Sequence, residues 1–165
     1  RSTLFPYTTL FRSSYTLRYR TGLGHGDAHH IADMDPDRPG LELWDVHEHK
    51  DAKYTDELRA HDGTIIWGTA QPGVDNGRGM AADVDSTHRG YEMWSAKGGG
   101  MFTVKHEKIG SPAVSQNFRI YFDGDAYDEL LDGAYVTKFN SKDVKAEVYF
   151  DGPTALGVTG CNGNS

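Results

Sequence analysis

Asp33, Asp35 and Asp37 alternate along the chain and are followed by Gly40 and Glu42, a D-x-D-x-D-x-x-G-x-E pattern. Calcium takes about six to eight hard oxygen ligands, and alternating aspartates around a tight turn supply several of them from few residues. No helix is expected on either side and the glutamate is misplaced for an EF-hand, so this is a different loop. The competing reading is a β-turn whose aspartates accept from their own backbone N–H groups. A second loop, Asp83-Val-Asp85-Ser-Thr-His, lacks the third aspartate and matches less fully. Asp33, Asp35, Asp37, Glu42, Asp83 and Asp85 are therefore candidate calcium ligands.

Just upstream, His25, Asp27 and His29 occupy alternate positions between glycines. In an extended segment they point to one side and present two imidazoles and a carboxylate, which adds them to the candidate metal ligands. Glycine beside them lets backbone approach a ligand closely. Arg78, in Gly77-Arg78-Gly79, holds the corresponding place in the next unit; a solvated arginine in a glycine turn is the bland alternative. The run His47-Glu48-His49 could also ligate a metal, although alternating histidines on a strand are often only surface residues. There is no G-x-S-x-G elbow, phosphate loop or C-x-x-C pair, so hydrolase and nucleotide chemistry find no foothold.

These groups sit in a repeat. Asp33, Asp35, Gly40, Glu42 and Trp44 recur fifty residues on as Asp83, Asp85, Gly90, Glu92 and Trp94, and a weaker third copy begins at Asp123-Gly-Asp125. The two tryptophans read as core between units. Twenty glycines and short aromatic or β-branched runs indicate many short strands and no long helix. The expected strands of the first unit are 29–35, 41–47, 54–59 and 64–67. Those of the second are 80–85, 91–95 and 101–106, with a poorly marked fourth near Ile109. The third has 118–123, 134–140 and 146–150, while 125–132 is open between a helical turn and a strand. Residues 14–20 read as the last strand of a preceding unit.

Four strands in about fifty residues make one propeller blade, so the fold class is all-β, a partial β-propeller of about three blades; a flat β-solenoid is the alternative. In a propeller the innermost strand faces the central channel, and the chain just before that strand, where His25, Asp27 and Arg78 lie, would meet a ligand. Residues 1–13 resemble the translation of a sequencing-library adapter and are set apart, leaving 14–165 as the propeller piece. The formal net charge of −7 argues against nucleic acid as a partner. No apolar run is long enough to span a bilayer. The single cysteine, Cys161, excludes an internal disulfide in this chain.

Several stretches resemble the rhamnogalacturonan lyases of polysaccharide lyase family 11. They are T-G-L-G-H-G-D-A-H-H from Thr21, D-P-D-R-P-G-L-E from Asp35, V-H-E from Val46, G-R-G-M-A-A-D-V-D from Gly77, G-Y-E-M-W-S from Gly90, N-F-R-I-Y-F-D-G-D from Asn117 and the terminal C-N-G-N-S. The resemblance implies an eight-bladed, calcium-binding propeller that cleaves the pectin backbone by β-elimination at galacturonate, with this chain an internal piece. It also implies that His25 ligates the active-site calcium, that Arg78 is the basic residue at the scissile bond, and that Asn162 and Gly163 belong to a substrate subsite. The partner would be a pectic polysaccharide, the location extracellular, and the complete protein a monomer. The family's Asn-Gly segment is followed closely by a lysine, whereas this chain stops at Asn164-Ser165, so the piece alone is expected to be inactive. A non-catalytic, calcium-dependent carbohydrate-binding propeller and a protein-interaction scaffold are the competing functions.

Overall fold

The computed structural model describes residues 17–152. Their regular elements are all strands: β1 (Gly26–Ala32), β2 (Glu42–His47), β3 (Tyr54–Ala60), β4 (Ile65–Ala70), β5 (Gly79–Ala82), β6 (Glu92–Ser95), β7 (Met101–Thr103), β8 (Lys108–Gly110), β9 (Phe118–Ile120), β10 (Glu129–Asp132), β11 (Tyr135–Asn140) and β12 (Lys145–Asp151). They form three four-stranded sheets in chain order, β1 to β4, β5 to β8 and β9 to β12, and every pairing is antiparallel. Such meanders are not the coils of a parallel solenoid.

The repeat survives as register. Ala32 pairs with Glu42, Ala82 with Glu92 and Ile120 with Glu129, so the same glutamate opens the second strand of each sheet. Trp44 pairs with His30 and Trp94 with Met80, again at equivalent places. The middle sheet is covered on both faces. Ala81 and Met93 join Trp44, Val46 and Leu58 of the first sheet in one core, while Met80, Ala82, Trp94 and Met101 join Leu130 and Phe139 of the third in another. Successive residues of a strand point to opposite faces, so all four residues of β5 are buried and the strand shows no polar alternation.

Several expected strands need correction: 80–85, 101–106 and 118–123 each run three residues too far, the strands ending at Ala82, Thr103 and Ile120, where the turns begin. The first strand begins and ends three residues earlier than the apolar pattern indicated, because residues 33–35 already belong to the turn. The segment 125–132 contains a strand only at its end, β10; before it, Asp125 N and Tyr127 N donate to the side chains of Asp123 and Asp125, which makes two turns rather than a helix. Residues 17–20 form no strand, since Tyr19 lies over Gly63 and the Arg59 guanidinium instead of pairing along an edge. The rest of that expected strand, the adapter-like residues 1–13, and Asn162 and Gly163 lie outside the described residues.

Candidate functional site

The topology sorts the candidate residues to two ends of the sheets. The turns between first and second strands, carrying Asp33, Asp35, Asp37, Asp83 and Asp85, lie at one end. His25 and Asp27 at the start of β1, Glu48 just after β2, Arg78 just before β5 and Asn117 just before β9 lie at the other. At about 3.3 Å per residue, the seven residues of β1 hold the two ends about 20 Å apart. One bound uronate cannot touch both.

At the turn end, the glutamate of each repeat is an internal cap. The buried Glu42 accepts from Met34 N (2.9 Å) and Asp35 N (3.1 Å), and the buried Glu92 from Val84 N (3.1 Å) and Asp85 N (2.9 Å). Glu129 accepts from Phe122 N at 2.8 Å. Asp35 and Asp85 each take the N–H two residues on, and glycines with left-handed backbone, Gly40 and Gly90, return the chain to the second strand. Cations of the chain itself close two of these turns. Lys105, from the loop between β7 and β8, donates to both Asp35 oxygens at 2.7 and 2.8 Å and lies 3.4 Å from Asp37. Lys138 bonds Asp123, Asp125 (2.6 Å) and Glu129 (3.0 Å). Burial raises the Asp35 carboxyl, but the Lys105 bond and the Asp37 N–H outweigh it and leave the pKa lowered.

The second turn has no such lysine among the described residues. Burial, then the charges of Asp128 and Asp85, push Asp83 up to about 6, and its Oδ1 is buried without a hydrogen bond. Burial also pushes Glu92 up to about 8, against the pull of its two backbone donors.

At the opposite end, His25 Nδ1 lies 3.2 Å from Glu48 Oε2 and 3.9 Å from Asp27 Oδ1, and one ligand atom of each residue falls within 4.8 Å of the others. The neighbouring Asp27 carboxyl, through a shared hydrogen bond, is the main cause of a raised Glu48 pKa, with burial and the Asp27 charge adding to it. Crowded carboxylates beside an imidazole, with no lysine or arginine paired to them among the described residues, suit a divalent cation, which would relieve that crowding.

The third member of the expected row, His29, is elsewhere. A register shift between Gly26 and Ala28 breaks the alternation at Asp27, and His29 pairs with Asp45 directly across β2. The run His47-Glu48-His49 is likewise divided: Glu48 turns to His25, whereas His47 is buried 3.8 Å from Glu57. Asp45, His47 and Glu57 form a compact buried group, but Arg59 already binds both Glu57 oxygens, so the chain's own guanidinium supplies the cation. Glu48 was therefore legible only as part of that run, and its partnership with His25 depends on where β2 ends.

Arg78 is fixed at both ends of the residue. Its carbonyl accepts from Ala96 N at 2.8 Å, and its Nη1 donates to Asn117 Oδ1 at 2.6 Å. Two residues upstream, the buried Asn76 bonds Thr55 O and Ser95 Oγ, and Ser95 Oγ donates to Asp56 at 2.7 Å, tying the segment to the first sheet. His30 reaches Gly79 O at 3.2 Å, and its burial lowers its pKa and favours the neutral ring.

The chain belongs to rhamnogalacturonan lyase family 11: the model of that family's C-terminal domain matches residues 9–163. It is 49% identical over 124 residues to rhamnogalacturonan endolyase YesW of Bacillus subtilis (strain 168), a match covering 74% of this chain and 20% of the relative. It is 47% identical over 123 residues to rhamnogalacturonan exolyase YesX of the same organism, covering 69% and 20%. Among solved structures, that of rhamnogalacturonan lyase YesW superposes with a TM-score of 0.80 at 41% identity, covering 90% of this chain and 25% of the other. The chain thus spans about a fifth of the length of the curated relatives it matches.

Proposed function

We propose that this chain is part of a polysaccharide lyase that cleaves the rhamnogalacturonan backbone of pectin by calcium-assisted β-elimination at galacturonate, each of its sheets being one blade of a propeller. The observation that carries the reading is that Arg78 and the His25, Asp27 and Glu48 cluster lie at the same end of two successive sheets, where β5 and β1 begin, in a chain of family 11. Sheets packed face to face in chain order, with β1 against β5, support a partial propeller.

In such an elimination the C5 proton of galacturonate passes to a base, its electron pair becomes the C4–C5 double bond, and the C4–O bond breaks. The proton is acidic only if the sugar carboxylate is neutralised. His25, Asp27 and Glu48 would hold calcium, which when bound supplies charge to that carboxylate. The Arg78 guanidinium offers the substrate a planar array of donors, and its permanent charge persists through the reaction. Its anchorage on two sheets fixes its place before substrate arrives, so no ordering is needed at the reacting carbon.

For calcium, the fit now favours the His25 cluster first, then the turn of Asp83 and Asp85, and last the Asp33, Asp35, Asp37 and Glu42 turn, where Lys105 already stands. The test uses a polypeptide of the relatives' full length that carries these residues. Rhamnogalacturonan should yield ultraviolet absorbance from an unsaturated product, lost on chelation and restored by calcium. Calcium-dependent polymer binding without any such absorbance would replace the lyase by a carbohydrate-binding propeller.

A further inference from the structure

We propose that Asn117, braced by Asp132, is a positioning residue for Arg78; the inference rests on the lyase reading above. Arg78 comes from the middle sheet, while Asn117 immediately precedes β9 and Asp132 ends β10 in the third. The guanidinium therefore reaches across from one sheet to the next. Its Nη1 donates to Asn117 Oδ1 at 2.6 Å, and Asn117 Nδ2 donates to Asp132 Oδ1 at 2.5 Å. Asn117 N donates to Ser115 Oγ at 3.2 Å, and Ser115 Oγ donates to Asp132 Oδ2 at 3.3 Å, which closes a ring around the amide.

Chemistry leaves the amide one orientation. A guanidinium only donates and a carboxylate only accepts, so the carbonyl must face Arg78 and the NH2 must face Asp132. The bond to Asp132 also polarises the amide and makes Oδ1 the stronger acceptor. An aspartate in place of Asn117 would set an anion against the guanidinium and lose the donor that Asp132 accepts from. The neutral amide fixes the guanidinium's position without itself adding a negative charge beside it, while the carboxylate that braces the amide stands one residue back. Because Arg78 carries its backbone bond to Ala96 in the middle sheet and its side-chain bond to the third, the spacing of the two sheets sets the guanidinium's place.

The experiment measures kcat and KM for Asn117→Ala, Asn117→Asp, Asp132→Asn, Arg78→Ala and the Asn117→Ala/Arg78→Ala double variant, in a polypeptide of the relatives' full length, with circular dichroism melting as the folding control. Misplacing the guanidinium should lower kcat about 100-fold in Asn117→Ala with KM little changed. Asn117→Asp should also raise KM, since an anion then stands against the guanidinium. In the Arg78→Ala background, removing the amide should cost nothing further. Asp132→Asn, at an exposed strand end, gives a smaller loss in the same direction and keeps the test decisive if Asn117→Ala folds poorly. An inactive Arg78→Ala beside folded Asn117→Ala and Asp132→Asn enzymes of normal kcat overturns the positioning role and leaves the lyase reading intact. An equal loss from Asn117→Ala with or without Arg78 overturns it too. Full turnover in Arg78→Ala removes the role of Arg78 itself, and the proposal with it.

Discussion

Glu42, Glu92 and Glu129 are wholly enclosed, yet each spends a carboxylate oxygen on backbone N–H groups rather than on solvent. In sequence such a residue is indistinguishable from a metal ligand, because both roles need an acidic side chain at a fixed distance from a turn. The same ambiguity covered Asp35, whose lysine partner lies seventy residues away and has no local signal. Glu92 allows a direct check of the capping role. Its folded pKa of about 8 stands above the ordinary value of 4.5, so the folded state holds a proton that the unfolded chain has released between those pH values. Its stabilising contribution is complete below about 4.5 and is lost as pH rises through about 8, at a slope of at most about 1.4 kcal/mol per unit. Urea unfolding in chelator should show this decline in the wild type and a flatter profile in Glu92→Gln. Parallel profiles would mean that Glu92 is ionised in the fold.

Most strands were legible as elements, because aromatic and β-branched runs between glycines and turn-forming residues mark them. Their ends were not. The bulge at Asp27 parts His29 from His25, and no residue type announces a one-residue shift in register. Close packing between strands was equally hidden: a Cβ on Gly79 would stand 2.6 Å from both Trp44 Cη2 and Val46 Cγ2. Gly79→Ala should therefore overpack the first interface and cost about 1–3 kcal/mol in chemical denaturation. An unchanged midpoint would mean that the two sheets are not held this tightly beside Arg78. The loop between β7 and β8 supports a second prediction. With Lys105 removed, Asp35 and Asp37 lose the cation they share and keep only Arg38, 3.8 Å from Asp35, and Arg89, 2.9 Å from Asp37, both exposed, so Lys105→Ala should have a lower Tm that calcium restores, whereas the wild type gains less from calcium at this turn. If calcium raises the Tm of both proteins equally, Lys105 does not occupy the cation's place.

Across the molecule, the sequence repeat carried the four-strand unit, since Glu42, Glu92 and Glu129 open equivalent strands in three successive sheets, but it left 125–132 open and added a strand at 14–20 that residues 17–20 do not form. It could not show which faces meet, because β5, covered on both sides, has no polar alternation to read. Nor could it separate the acidic turns from the cluster around Glu48; that division follows from strands running between two ends. The account's central claim is that the Arg78 end is the reacting end. Its most direct test is the turnover of rhamnogalacturonan by Arg78→Ala in a polypeptide of the relatives' full length, followed by absorbance of the unsaturated product. Losing an interaction made in the transition state should remove about 3 to 5 kcal/mol, a fall in kcat of roughly two to four orders of magnitude, with fold and calcium content retained and only partial rescue by Arg78→Lys. Near-normal turnover by folded Arg78→Ala would contradict the claim.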